Sequence, residues 1–170
     1  MKKVLFIVAV FCMPFVVFSQ ETEKVKTEPV NEVKLNLATT VFIFYPEISY
    51  ERSLTKDLGL GVAAAVALKN DILYNFQITP YFRFYFGSKP VRSFFIEANA
   101  ALVGLDDAYF SDFLNSDRDR QNVTDFGLGL AVGYKFINNR GFIGEIYSGV
   151  GRTFGDRAYP RLGISVGKQF

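Results

Sequence analysis

The sequence predicts an all-β protein in which eight antiparallel strands close into one up-and-down barrel. Apolar residues recur at every second position from about Glu32 to the C-terminus, which is the period of a strand with two unlike faces rather than of a helix. This alternation divides into eight stretches. Compact turns and longer segments connect the stretches in alternation, as expected for a closed barrel built from hairpins.

The predicted strands are long for a soluble protein. They cover residues 33–44, 47–54, 58–68, 73–86, 93–105, 123–136, 141–154 and 159–170. Most of them exceed the roughly 5–6 residues of a typical strand and approach the roughly 9–11 residues that cross a bilayer at a tilt. The compact connectors are 55–57, 87–92 and 137–140, and the longest connector is 106–122. No convincing helical period interrupts the strands.

The N-terminus has the pattern of a signal peptide. Lys2 and Lys3 precede an apolar run over 4–18, and Ser19 or Gln20 is the expected cleavage position. A membrane-spanning anchor usually needs about 20 apolar residues, and this run is shorter and contains Pro14. We therefore predict a signal peptide over 1–20, a flexible periplasmic lead-in over 21–31 and a barrel over 32–170.

Composition excludes several function classes for the mature chain. Cys12, the single cysteine, lies in the signal peptide, so thiol chemistry and a disulfide framework are not expected. The 19 basic residues include Lys2 and Lys3, so 17 remain against 17 acidic residues, without the basic excess of a nucleic-acid-binding protein.

The two faces of each strand differ in a way that predicts a transmembrane barrel. In the fourth strand Phe76 and Phe82 share one face, whereas Gln77 and Arg83 share the other. In the sixth strand large apolar residues oppose a face that is mostly glycine, alanine and charge. Bulky apolar residues facing lipid and small or charged residues facing a narrow lumen account for both patterns. A soluble barrel that binds an apolar ligand would need the reverse orientation.

Aromatic residues cluster near the ends of the predicted strands, as the girdles of a membrane barrel do. The girdle expected at the end with compact turns consists of Phe84, Phe86, Phe94, Tyr134, Phe136, Phe142 and Phe170. The girdle expected at the opposite end consists of Phe44, Tyr45, Tyr74, Phe126 and Phe154.

The last predicted strand carries a possible assembly signal. One of its faces presents Leu162, Ile164, Val166 and the terminal Phe170. With this strand and the preceding patterns, the chain resembles the small outer-membrane barrels of the OmpA/OmpX type, and the leader ending Phe18-Ser19-Gln20 resembles those of Bacteroidota. The resemblance implies a location in the bacterial outer membrane, contact with its lipid and recognition of the last strand by the barrel-assembly machinery. Lys168 departs from the apolar residue usual at its position.

Charged residues of both signs fall on the inward face of nearly every predicted strand. We interpret them as a salt-bridge network that fills the lumen, with Arg83 paired to Glu51 or Glu97 at its centre. An acid/base pair or an ion-selective lumen is the alternative for the same residues. The network is predicted to include Lys34, Glu47, Glu51, Arg83, Glu97, Lys135, Glu145 and Arg161.

The absence of histidine favours a protein that is not an enzyme. The known families of outer-membrane proteases, phospholipases, deacylases and acyltransferases depend on a histidine, which leaves only carboxylate chemistry. Without histidine or a mature cysteine, the usual zinc and haem sites are not expected. The aspartates of 106–122 lack calcium-loop spacing, so no metal or cofactor is predicted. Tyr109, Phe110 and Phe113 are the candidate contact residues of this long loop.

The predicted function is structural or surface-interacting. A narrow transport or lipid-handling barrel and a soluble periplasmic barrel for lipophilic ligands are the alternatives.

Overall fold

Eight antiparallel strands form a closed barrel in which each strand pairs with its two neighbours in sequence and β1 pairs with β8. The structure is a computed structural model, and it describes residues 30–69, 74–86, 92–106 and 122–170. The strands are β1 Asn31–Asn36, β2 Glu47–Ser53, β3 Leu58–Val66, β4 Tyr74–Phe86, β5 Arg92–Asp106, β6 Asn122–Ile137, β7 Phe142–Thr153 and β8 Ala158–Gln169. The prediction of an eight-stranded up-and-down barrel is confirmed.

The first and last strands meet at the end of the barrel that also carries the compact turns, which we call the turn end. Asn31 and Phe170 exchange both backbone hydrogen bonds there, at 3.1 and 2.9 Å. In the β6–β7 turn the Asn138 carboxamide oxygen accepts the backbone N–H groups of Arg140 and Phe142, each at 2.9 Å. Residues 87–91, which join β4 to β5, and the loop 107–121 lie outside the described residues. We call the opposite end the loop end.

The structure orients the two faces of the wall as the alternation predicts. Along β6, outward-facing Leu128 and Leu130 are 61% and 64% exposed, while inward-facing Ala131 is 2% exposed. Charged residues such as Arg83 and Glu51 point inward and are almost completely buried. The exterior is therefore an apolar belt, and the interior is polar. Within the described residues, no helix is long and apolar enough to span a membrane.

The first predicted strand, 33–44, is too long, and the expectation of no helix is wrong at this place. β1 ends at Asn36, and Thr39–Ile43 forms a single π-helical turn, which we call the rim helix. The Asn36 side chain accepts the Thr39 backbone N–H at 3.3 Å, and the Thr40 hydroxyl donates to the Asn36 carbonyl. Such local side-chain hydrogen bonds compete with the strand ladder, which explains why the extended conformation stops here.

The aromatic girdle expected at the loop end loses two of its members. The β4–β5 register shifts between Tyr74 and Phe76, and this bulge moves Tyr74 from the lipid-facing parity to the interior. Tyr45 is also buried, with 9% of its surface exposed. Phe44, Phe126 and Phe154 remain on the outside, and so do all seven aromatic residues predicted for the turn end.

Candidate functional site

The lumen is the candidate functional site, because strands on all sides contribute charged residues to it. The structure places all eight predicted network residues inside the barrel, each no more than 7% exposed. β1 supplies Lys34, and β2 supplies Glu47 and Glu51. β4 to β8 each supply one residue, which are Arg83, Glu97, Lys135, Glu145 and Arg161.

Arg83 lies at the centre of the network and binds three carboxylates. Its Nη1 donates to Glu51 at 2.9 Å and to Glu145 at 2.8 Å. Its Nε and Nη2 both lie 2.8 Å from the same oxygen of Glu97. The structure thus brings Arg83 together with both anticipated partners, and Glu145 is a third. A planar guanidinium with five N–H donors suits such a branched contact.

Two lysines extend the network toward the turn end. Lys34 lies 2.7 Å from Glu51 and 3.0 Å from Glu145. Lys135 lies 2.8 Å from Glu32 and 3.1 Å from Glu51. Glu51 therefore contacts two lysines in addition to Arg83, and these contacts join β1, β2, β4, β6 and β7 across the lumen.

Arg161 extends the network toward the loop end. It donates to Glu97 at 2.9 Å and to the two oxygens of Glu47 at 2.9 and 2.8 Å. The Tyr147 hydroxyl donates to Glu47 at 2.6 Å. Alternating contacts between carboxylates and cations consequently run without interruption from Glu32 to Glu47.

Aromatic rings fill the space between the charges. The Arg83 guanidinium carbon lies 4.2 Å from the centre of the Phe95 ring, and that of Arg161 lies 4.8 Å from the centre of the Tyr147 ring. Arginine stacks favourably on aromatic faces, because the ring face is electron-rich. Tyr81 and Tyr85 add hydroxyl hydrogen bonds to Glu51. The described side chains therefore pack the lumen instead of leaving a wide aqueous path.

Glycines make room for these rings. Each of four inward-facing rings pairs across the sheet with a glycine, in the pairs Tyr81–Gly61, Phe95–Gly133, Tyr147–Gly163 and Tyr159–Gly151. A methyl group at any of these glycines would overlap the paired ring. The inward-facing glycines therefore provide clearance for interior side chains.

The charges in the lumen nearly balance. Among the described residues, five buried carboxylates face four buried cations; these are Glu32, Glu47, Glu51, Glu97 and Glu145, and Lys34, Arg83, Lys135 and Arg161. Each of these residues lies in a salt bridge. Because an unpaired buried charge is very costly, this mutual pairing is what allows the charges to remain inside the wall. A carboxylate bound in this way by cations is poorly placed to act as a general base.

Aromatic residues close the loop end of the lumen. The Tyr159 hydroxyl donates to the Asn99 carboxamide oxygen at 2.8 Å, and its ring packs with Ala101 and Val103. Tyr74 crosses the mouth from β4 and donates to the Ala158 carbonyl of β8 at 2.7 Å. Beside the rim helix, burial raises the pKa of the Tyr45 phenol above its ordinary value.

The sequence analysis missed further lumen residues, among them Glu32 and Asn36. Glu32 was placed at the boundary of the lead-in, yet it is 2% exposed and bound to Lys135. Asn36 donates to Tyr147 at 3.1 Å. Both share the parity of Lys34, and this signal was available in the sequence. Among the described residues, no group of histidine, cysteine, aspartate and glutamate is arranged to hold a metal ion.

The other predicted site residues belong either to the barrel wall or to the segment 107–121, which lies outside the described residues. Leu162, Ile164 and Val166 face outward on β8, and Phe170 is 69% exposed beside Asn31. Lys168 interrupts this row and lies near the Phe142 ring. The loop candidates Tyr109, Phe110 and Phe113 lie outside the described residues.

The fold and the lumen define a class: small up-and-down barrels with an apolar exterior and a packed, charged interior. Among solved structures, the chain is similar to the N-terminal β-barrel domain of OprF from Pseudomonas aeruginosa, with a TM-score of 0.64 and 15% identity over 83% of this chain and 97% of that chain. Ail, the attachment invasion locus protein of Yersinia pestis, gives a TM-score of 0.48 and 11% identity over 84% and 99% of the two chains. Neisserial surface protein A gives a TM-score of 0.48 and 10% identity over 84% of this chain and 96% of that chain. The similarity to the OprF domain shows the fold alone. No protein-family model and no curated protein matches the sequence.

Proposed function

We propose that the protein is a non-enzymatic barrel of the bacterial outer membrane, with a structural or surface-interacting role, and that it presents the loop over 106–122 outside the cell. The observation that carries this proposal is the orientation of the wall, which is apolar outside and charged inside. A water-soluble barrel with this orientation would expose a continuous apolar belt and bury its charges, which is unfavourable on both counts. A bilayer removes the first cost, because the belt then contacts hydrocarbon.

The packed lumen supports an anchoring role over transport. Arg83, Arg161 and their carboxylates occupy the centre, and Tyr74 and Tyr159 cover the loop end. The soluble ligand-binding alternative is disfavoured, because the described lumen offers salt bridges where a lipophilic ligand would need apolar walls.

Cysteine labelling tests the location and the orientation together. Cys12 is the only native cysteine and lies in the predicted signal peptide, so a single added cysteine would be the only one in the predicted mature chain. Asp156→Cys lies at the loop end and Lys56→Cys at the turn end, and the native side chains are similarly exposed, at 83% and 79%. In intact cells a membrane-impermeant maleimide should label Asp156→Cys, and it should label Lys56→Cys only after permeabilisation. The reverse result would overturn the orientation, and recovery in the soluble periplasmic fraction would overturn the membrane location.

Conductance separates the anchor from the transport alternative. The purified, refolded protein should give no steady unitary conductance in a planar bilayer, because described side chains fill the lumen. Steady unitary currents from protein of verified fold would instead favour the narrow transport barrel.

A further inference from the structure

Within the described residues, the barrel wall has a half-paired stretch at the loop end of β8. On one side, β7 pairs with β8 from Ala158 to Lys168. On the other side, β1 pairs with β8 only from Ser165 to Gln169, because β1 ends at Asn36. In the part of the chain that the structure describes, the stretch Ala158–Ile164 therefore has a strand neighbour on one side only, and we call the space beside it the β8 gap.

Side chains replace part of the missing ladder along the β8 gap. Asn31 and Phe170 exchange backbone hydrogen bonds. In an antiparallel ladder every second residue faces the same neighbour, so every second residue from Phe170 back to Ala158 directs its N–H and C=O groups toward the β1 side. Of these, Pro160 has no N–H group to satisfy. The Tyr74 hydroxyl donates to the Ala158 carbonyl at 2.7 Å, and the Asn36 carboxamide donates to the Leu162 carbonyl at 2.9 Å. The edge is thus capped from within the barrel.

The segment 37–45, which contains the rim helix, follows β1 and lies beside β8 at the loop end. The rim helix packs against β8, and its Phe42 is 80% exposed. Among the described residues, the buried hydroxyls of Thr39 and Tyr45 have no hydrogen-bond partner in this position. A buried hydroxyl without a partner destabilises the arrangement that buries it. Outward movement of the segment would let both hydroxyls regain partners.

Polar lumen residues lie directly behind the β8 gap. The Asn36 carboxamide that caps Leu162 also donates to the Tyr147 hydroxyl at 3.1 Å. Tyr147 in turn donates to Glu47, which binds Arg161. Because Arg161 is already paired with two carboxylates, the described residues in this part of the lumen offer hydrogen-bonding groups and no unpaired cation.

We propose that the β8 gap is a lateral opening of the barrel, that the segment 37–45 is its flap, and that it admits the uncharged, hydroxyl-bearing head group of a lipid. Thr39, Tyr45, Asn36 and Tyr147 supply hydrogen bonds to the head group. The acyl chain lies along Leu162 and Ile164, which are 49% and 51% exposed on the outer face of β8. The inference rests on the proposed function for the membrane location of the barrel and for the assignment of the loop end to the outer leaflet.

Amide hydrogen exchange in phosphatidylcholine nanodiscs tests the opening. The Leu162 and Ile164 amides face the gap, whereas the Val166 and Lys168 amides of the same strand face β1 and serve as the internal reference. We expect the first pair to exchange at least about tenfold faster than the second. Equal protection of the two pairs would overturn the opening, whatever the cellular location of the protein.

Removal of the unpartnered hydroxyl tests the flap. Tyr45→Phe keeps the ring and should favour the covered position, so exchange at Leu162 and Ile164 should slow severalfold. Tyr134→Phe is the matched control, because Tyr134 faces outward at the turn end and is 41% exposed. Unchanged exchange in Tyr45→Phe, or an equal change in Tyr134→Phe, would contradict the flap.

A pair of single-chain amphiphiles tests the ligand class. Monolauroylglycerol, added to the same nanodiscs, should protect the Leu162 and Ile164 amides, and Tyr45→Phe should weaken this protection. Laurate has the same acyl chain with a charged head and should protect less. Equal protection by both compounds, or by neither, would overturn the proposed head-group recognition, while cysteine labelling of cells reports separately on the proposed function.

Discussion

Arg83 is buried in the middle of the barrel, yet it is bound on several sides. Three carboxylates and the Phe95 ring surround its guanidinium. Burial of such a charge depends on its partners, because the attraction between opposite charges in the lumen offsets the free-energy cost of removing each of them from water. Removing one member should therefore cost more than the loss of a single hydrogen bond.

Arg83→Gln should lower the free energy of unfolding by about 3–5 kcal/mol, because it leaves buried carboxylates without their shared cation. Urea unfolding of the protein in phosphatidylcholine vesicles, followed by circular dichroism, measures the change. The control is Arg152→Gln, whose native side chain is 73% exposed in an ion pair with Asp156. The control should change the free energy by less than about 1 kcal/mol. Similar effects of the two variants would contradict a buried network.

Gly151 tests the packing of rings against glycines. Gly151→Ala should destabilise the barrel by about 1–3 kcal/mol, because the added methyl group overlaps the Tyr159 ring. Tyr159→Leu in the same chain should recover part of this loss, so a double-mutant cycle should show a favourable coupling. Ser148→Ala, on the outward face of β7, is the control and should have little effect. Additive losses in the cycle would argue against this contact.

At the scale of elements, β8 has two unlike halves. Its turn-end half pairs with both β7 and β1, and its loop-end half pairs with β7 alone. The residues of the predicted assembly signal occur in both halves, and Phe170 closes the wall through its hydrogen bonds with Asn31. A substitution of the Phe170 side chain leaves these backbone hydrogen bonds available, so it should affect insertion more than strand content.

Phe170→Asn should reduce the amount of folded protein in the outer membrane severalfold, because the last strand loses its terminal aromatic residue. The folded fraction can be measured from the heat-dependent band shift in detergent gels of membrane fractions. Phe136→Asn is the matched control, since Phe136 is also an outward-facing aromatic residue near the turn end, at 51% exposure. Normal amounts of folded protein from Phe170→Asn would contradict the assembly-signal prediction.

At the scale of the whole molecule, the apolar exterior belt determines whether water or a lipid bilayer is the favourable surrounding for the barrel. Leu130 lies midway along β6 and Leu68 lies beyond the loop end of β3, and the two are equally exposed, at 64% and 65%. In water the two positions would be equivalent for a charged substitution. In a bilayer they differ, because only one of them lies at the depth of the hydrocarbon core.

Leu130→Arg should destabilise the barrel in vesicles by about 2–4 kcal/mol, and Leu68→Arg by about 0–1 kcal/mol, since the cost of a lipid-facing cation depends on its depth. Reversible unfolding in vesicles of the same composition gives both values. Equal and small effects would indicate an exterior that faces water, and they would support the soluble barrel instead.

The alternation of apolar and polar residues along the strands predicted most of the architecture. A period of two assigns each side chain to a face without knowledge of any partner, so the apolar belt and the inward charges were readable from local sequence. The balance of signs favoured a paired network over an open lumen. The same parity would have included Glu32, had the first strand been started one residue earlier.

The pairing of these charges and the places where the alternation fails were determined only by the tertiary structure. Arg83 and Glu145 are far apart in sequence, and they meet because closure of the barrel brings β4 and β7 to opposite sides of one narrow lumen. The bulge at Tyr74 depends on the register with β5, and the hydrogen bond from Asn36 to the Leu162 carbonyl depends on closure, and no local period contains either of them. The sequence alone therefore determined which residues face inward, and closure of the sheet decided which of them touch.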